Sequence, residues 1–154
     1  MRFKNYRCLI IVFLLIFRNT YHSQNYRFEN INSENGLSQN SVLCIYQDSR
    51  NFLWFGTYDG LNRYDGYKFK IYKTDKRNPK SISGQSFTSI VEDKSGNLWI
   101  GSLGGGLNRY NRLTDDFTTF TEDNSYPTSI PNNRVRTLFI DSHNRFWIGT
   151  EGGA

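Results

Sequence analysis

Residues 48–57 read Asp-Ser-Arg-Asn-Phe-Leu-Trp-Phe-Gly-Thr, residues 93–102 read Asp-Lys-Ser-Gly-Asn-Leu-Trp-Ile-Gly-Ser, and residues 141–150 read Asp-Ser-His-Asn-Arg-Phe-Trp-Ile-Gly-Thr. The three stretches hold every tryptophan of the 154-residue chain: Trp54, Trp99 and Trp147, which lie 45 and 48 residues apart. Each Trp follows an aspartate by six positions (Asp48, Asp93, Asp141) and precedes a glycine by two (Gly56, Gly101, Gly149). The flanks repeat as well. Val42-x2-Ile45 before the first copy becomes Phe87-x2-Ile90 and Val135-x2-Leu138, and Gly60-Leu61-Asn62-Arg63-Tyr64 becomes Gly106-Leu107-Asn108-Arg109-Tyr110. A period in the forties, built of short strand-like pieces, marks a propeller blade. Such a unit cannot bury its faces alone and must stack on its neighbours.

Each repeat divides into four short strands separated by Gly, Asn and Asp turns, with no helical period, so the fold class is all-β. The expected strands are Val42–Gln47, Leu53–Thr57, Leu61–Tyr64 and Lys68–Tyr72, then Phe87–Glu92, Leu98–Ser102, Leu107–Tyr110 and Phe117–Phe120. The first strand is largely apolar on both faces, as a strand held between neighbouring sheets requires. Asn51, Gly96 and Asn144 share one turn position, which calls for a left-handed backbone. Phe28-Glu29-Asn30-Ile31 resembles the outer strands Phe69–Tyr72 and Phe117–Phe120 and reads as a poorly anchored fourth strand. The proline-bearing stretches 74–86 and 121–134 read as inter-blade loops, the most variable part of the unit.

The expected organisation is a signal peptide or signal anchor over 1–23, an N-terminal strand and lead-in over 24–41, blade one over 42–82, blade two over 83–130 and a truncated blade three over 131–154. The basic start (Arg2, Lys4, Arg7), the ten-residue apolar run from Cys8 to Phe17 and the polar tail to Gln24 have the layout of an export signal. That run is too short to span a bilayer, which takes about 20 residues. Removing 1–23 takes four basic residues and no acids from a net charge of +5, which leaves +1. The high isoelectric point thus belongs to the targeting segment, and the remainder has no electrostatic footprint for nucleic acid. Two repeats and half a third cannot close a ring of about four to eight blades, so the expectation is the N-terminal piece of a longer protein. Alone it is expected to self-associate and not to form a ligand-competent domain.

Candidate chemistry is sparse. The three tryptophans offer a stacking platform, but identical placement between Leu/Phe and Ile/Phe in successive blades fits gap-filling between sheets. Asp48, Asp93 and Asp141 offer carboxylates, but each opens a tight turn in which Asp bonds the backbone two residues on. None of the three turns has the acidic alternation of a calcium loop. Gly104-Gly105-Gly106 precedes a strand, not the helix an anion cradle needs, and reads as a β-turn. His22 and His143 assemble no triad or metal set. Cys44, aligned with Ser89 and Thr137, reads as a small packed residue. Arg63 and Arg109 recur at one place, suited to a neighbouring blade, to solvent or to acidic sugars. No catalytic or metal-binding residue and no cofactor is expected.

The pattern Val-x2-Ile-x2-Asp-x2-Gly-x-Leu-Trp-Ile-Gly-Thr-x2-Gly-Gly-Leu-x-Arg-Tyr resembles the two-component regulator propeller repeat. It is nearly complete at Ile90–Tyr110, present at Ile45–Tyr64 with Asn51 for Gly, and truncated at Leu138–Gly153; Asn35-Gly36-Leu37-Ser38-Gln39-Asn40-Ser41 also resembles the usual approach to a first blade. The resemblance implies the periplasmic sensor of a homodimeric hybrid histidine kinase of the inner membrane, responding to oligosaccharides. It leaves open a cyclic-di-nucleotide synthase as output, and the residues leave open an exported, lyase-like propeller enzyme.

Overall fold

The computed structural model describes residues 26–153. Ten strands form three antiparallel sheets. The first holds β1 (Val42–Gln47), β2 (Leu53–Thr57), β3 (Gly60–Tyr64) and β4 (Phe69–Tyr72), in that order. The second holds β5 (Ser86–Glu92), β6 (Leu98–Leu103), β7 (Gly106–Asn111) and β8 (Asp116–Phe120), again in chain order. The third pairs β9 (Val135–Ile140) with β10 (Phe146–Thr150). The meander follows from the turns, because connections this short join only antiparallel neighbours. Asn51, Gly96 and Asn144 all take positive φ (66°, 79° and 63°), as their shared turn position demands. The innermost strand of each sheet shifts register at the same place, between Val42 and Cys44, between Phe87 and Ser89, and opposite Gly149 and Thr150.

Two expectations need correction. Phe28–Ile31 forms no strand: Phe28 is 92% exposed, and the ladder bonds that would hold an extended segment come from a partner strand that the described residues do not supply. A single 3-10 turn, Ser33–Asn35, follows it, closed by the reciprocal side-chain bonds of Asn32 and Asn35. The inter-blade loops, read as variable, share one construction. Asp75 N donates to Ser81 Oγ at 2.9 Å and that hydroxyl donates back to Asp75 O at 3.0 Å. Asp123 and Ser129 repeat the pair at 3.1 and 2.9 Å. Each loop then delivers an isoleucine, Ile82 or Ile130, into the apolar layer between sheets. The expected span 1–23 of the export signal lies outside the described residues.

The sheets stack with a fixed sense. Trp54, Leu61 and Tyr72 of the first sheet pack against Phe87, Ile90, Leu98, Ile100, Tyr110 and Phe117 of the second. Leu107 of the second, with Trp99 beside it, packs against Val135, Leu138, Phe146 and Ile148 of the third. Glycine permits the approach in each of the first two sheets. A Cβ on Gly56 would stand 2.4 Å from Phe87 O, and one on Gly101 would stand 2.7 Å from Val135 Cγ1. Both glycines have ordinary backbone angles, so the need is for space between sheets and not for a left-handed turn. Asn62 and Asn108, both fully buried, fasten the preceding segment to the third strand by accepting from Ser38 N (2.8 Å) and Ser83 N (2.9 Å).

Candidate functional site

The repeated aspartate and tryptophan turn out to be one device. Asp48 Oδ1 accepts from Arg50 N (2.9 Å) and Phe52 N (3.0 Å), which fixes the β1–β2 turn. Its Oδ2 accepts from Trp54 Nε1 at 2.9 Å, so the turn also orients the indole across the face of the sheet. Asp93 bonds Ser95 N, Asn97 N and Trp99 Nε1, and Asp141 bonds His143 N, Arg145 N and Trp147 Nε1, in the same way. Sequence reasoning found the turn but missed the bond from the indole. The constant six-residue spacing was the available signal. With these donors in place the carboxylates are committed to the fold, and their proton affinity follows. Burial alone would raise the Asp48 pKa, but the bonds from Trp54 and Arg112 outweigh it and hold the carboxyl below its ordinary value.

The remaining acceptor capacity of Oδ2 is met differently in each blade. Arg145 Nε reaches Asp141 at 2.6 Å and Asn97 Nδ2 reaches Asp93 at 2.9 Å, both from four residues on. Phe52 occupies that place in the first blade and has no polar donor. There Arg112, from the β7–β8 turn of the next sheet, donates to Asp48 Oδ2 at 2.9 Å, to Glu92 Oε1 at 3.0 Å and to Gly96 O at 2.9 Å. The side chains of Arg112, Asp48 and Glu92 are 13%, 0% and 7% exposed, so this ion triad is sealed between the first two sheets.

A second network lies toward the outer strands. Tyr72 and Tyr110 both donate to Asp115 Oδ1 at 2.6 Å, Arg63 Nη1 donates to the Tyr110 hydroxyl at 2.7 Å, and Lys70 pairs with Asp115. Arg63 thus meets the neighbouring blade, one of the roles its sequence position suggested. Arg109, its counterpart, lies over the Trp99 ring at 5.7 Å. Partial burial of Asp115 disfavours its charge, but the bonds from Lys70, Tyr110 and Tyr72 prevail and hold its carboxyl at about 2. A carboxylate depressed below its ordinary 3.8 adds stability that is complete above that value and is lost as pH falls toward 2. Urea midpoints measured from about pH 6 to about pH 2 will therefore fall mainly below pH 4, and Asp115→Asn will flatten that decline. An unchanged acid limb in the variant would remove Asp115 from the account.

Cys44 is confirmed as packing. Burial pushes its thiol up to about 11, against a smaller opposing backbone bond from Gly56, and Sγ sits 3.5 Å from Phe87 O. Gly104 and Gly105 form the β6–β7 turn and Gly106 opens β7, with Gly104 N and Gly106 N donating to Asn133 O at 3.0 and 2.9 Å. A groove of about 430 Å³ runs beside Trp99 between the second and third sheets, lined by Leu107, Phe120, Tyr126, Ile130 and Phe146 among others. Its Trp99 floor is the counterpart of the Trp54 surface that Tyr110 and Phe117 cover one sheet earlier.

A family model described as two component regulator propeller matches residues 36–59, 81–104 and 129–152, one match over each Asp–Trp device. The chain is built of two-component regulator propeller repeats. Over 130 residues it is 40% identical to histidine kinase P4 of Formosa agariphila, an alignment covering 80% of this chain and 9% of the kinase. It also superposes on the extracellular domain of a B. thetaiotaomicron protein described as a hybrid two-component system, with a TM-score of 0.71 and 32% identity over 78% of this chain and 17% of that one. Virginiamycin B lyase of Staphylococcus aureus matches at a TM-score of 0.51 and 19% identity over 82% of this chain and 38% of the lyase, which shows the fold alone. The chain therefore spans only a small share of the length of these relatives. No helix among the described residues is long and apolar enough to cross a membrane.

Proposed function

We propose that these repeats belong to the periplasmic, ligand-sensing propeller of a homodimeric sensor histidine kinase anchored in the inner membrane. Residues 1–23 serve as its export signal, and an oligosaccharide is its ligand. The observation that carries the reading is the 40% identity to a histidine kinase over 130 residues. Catalysis belongs to the kinase output of the whole protein, and the blades contribute recognition. The loop ends of the sheets suit a polyhydroxylated ligand. Tyr58 in the β2–β3 turn and Tyr126 in the loop between β8 and β9 are 53% and 66% exposed.

The test has two steps. The coding sequence downstream should encode further repeats, a transmembrane stretch and histidine-kinase motifs; a stop after six or seven repeats would instead favour an exported enzyme. The full-length protein in membrane vesicles should then change its autophosphorylation rate when given polysaccharide digests, and not when given the constituent monosaccharides. A kinase indifferent to every digest would overturn the ligand class while leaving the sensor reading standing.

A further inference from the structure

The two inter-blade loops differ in charge and not in build. Residues 73–82 and 121–130 align one to one and share the Asp–Ser construction and its closing isoleucine. The first carries Lys73, Lys76, Arg77 and Lys80 against a single acid, Asp75. The second has Thr121, Asn124, Ser125 and Thr128 at those four places, with Glu122 and Asp123 as its charges. The construction therefore has no need of the four cations. Nor do local partners explain them. Lys73 meets Asp59 at 2.7 Å, Arg77 meets Asp75 at 3.4 Å and Lys80 meets Asp116 at 3.5 Å, with the Arg77 and Lys80 side chains 92% and 70% exposed. Exposed pairs of this kind contribute little to stability. Lys76 forms no ion pair with any described residue.

A second groove, of about 260 Å³, lies between this loop and Thr119 of β8. It flanks the junction of the first two sheets, each complete in four strands, so its walls do not depend on any further repeat. The polar groups on its lining sort into two sets. Lys76 Nζ, Asn78 Nδ2 and the Ser83 hydroxyl are donors with no partner among the described residues, while Asn78 Oδ1 accepts from Lys80 N at 3.1 Å. Thr74 Oγ1 and Thr119 Oγ1 already donate, to Gly84 O at 2.6 Å and to Asn108 Oδ1 at 3.0 Å, and keep only acceptor capacity. Asp75, the one carboxylate on the lining, has Oδ1 held by Arg77 N at 2.9 Å. Open donors beside a cation suit a sulfate or carboxylate, and the acceptors next to them suit sugar hydroxyls. We propose that this groove binds an anionic substituent of the sensed saccharide, a sulfate ester or a carboxylate. Lys76, Asn78 and Ser83 hold the anion, and Arg77 and Lys80 flank it. The inference rests on the reading of the propeller as an oligosaccharide sensor and narrows its ligand to an acidic saccharide.

Three dextran oligomers of equal length, neutral, sulfated and carboxymethylated, test it by calorimetric titration into the detergent-solubilised full-length protein. The anionic oligomers should bind and the neutral one should not, and the tighter of the two anions identifies the substituent. Lys76→Glu should weaken anionic binding about tenfold or more, the usual scale of a hydrogen bond to a charged group. Lys94→Glu, at another exposed cation in the turn beyond the far end of β5, should leave it unchanged. Both positions lie in exposed turns, and an unchanged urea midpoint in each variant verifies the fold. Equal binding of the neutral oligomer, no binding of either anionic one, no loss in Lys76→Glu, or the same loss in both variants would overturn the proposal. Autophosphorylation separates it from the broader reading. A kinase that answers to neutral digests, with its dose response intact in Lys76→Glu, keeps the sensor and loses the acidic ligand. An anion held through Lys76 without any change in phosphorylation keeps the groove and loses the sensing role.

Discussion

Asp48→Ala lowers stability by about 3–5 kcal/mol, the usual cost of removing one partner from a buried ion pair. The change leaves the Arg112 guanidinium, 13% exposed, with Glu92 as its one remaining anion, and it strips the acceptor from Trp54 Nε1 and from two turn amides. Asp48→Asn should be nearly as damaging although its shape is conserved. One amide oxygen can still hold the turn, but the NH2 group must then face two other donors, Trp54 Nε1 and Arg112 Nη1. Urea denaturation reads both variants. An asparagine variant within about 1 kcal/mol of the parent would mean that the turn, and not the ion triad, carries the contribution of Asp48.

The tryptophans separate just as sharply. Trp54→Ala should cost about 3–5 kcal/mol, because the vacated space lies between two sheets that are pinned elsewhere and cannot collapse into it. Its ring touches Tyr72 at 5.8 Å and Tyr110 at 5.0 Å between centroids, so the loss reaches both sheets. The same change at Trp147, 44% exposed, should cost at most about 1.5 kcal/mol at concentrations too low for association. Equal losses at the two positions would show that the indole acts through its bond to aspartate and not through burial.

The sequence made the sheets legible because every determinant of a blade is local. Asp48, Asn51, Trp54 and Gly56 sit within nine residues and specify a turn, a left-handed step, a filled face and a thin place, and their recurrence excludes coincidence. What stayed hidden was whatever depends on a partner one repeat away. Arg112 looked like any turn arginine; its role rests on Phe52, 60 residues earlier, offering Asp48 no donor. Asp115 stood beside Asp116 with nothing to mark which would collect two tyrosine hydroxyls. The shared loop construction was missed because its signal, Asp-x5-Ser-Ile, is two polar residues around a proline in otherwise unlike segments. The tyrosines at the loop ends were equally unmarked, since exposure is a property of the folded stack.

The spacing of the inter-sheet bonds also bears on how the chain acquires its structure. Cys44 meets Phe87, Arg63 meets Tyr110 and Ser89 meets Leu138, at separations of 43, 47 and 49 residues. Even the ion pair of Arg112 with Asp48 spans only 64 positions, so order can spread along the chain from one sheet to the next, each sheet serving as template for the one behind it. The delay is set by the outer strands. Trp54 finds its Tyr110 and Phe117 cover only after about 63 further residues have emerged, and until then the newest sheet keeps an uncovered indole. The growing end of such a polypeptide is its adhesive part throughout synthesis, which makes the interval between one blade and the next the time when a chaperone has most to hold.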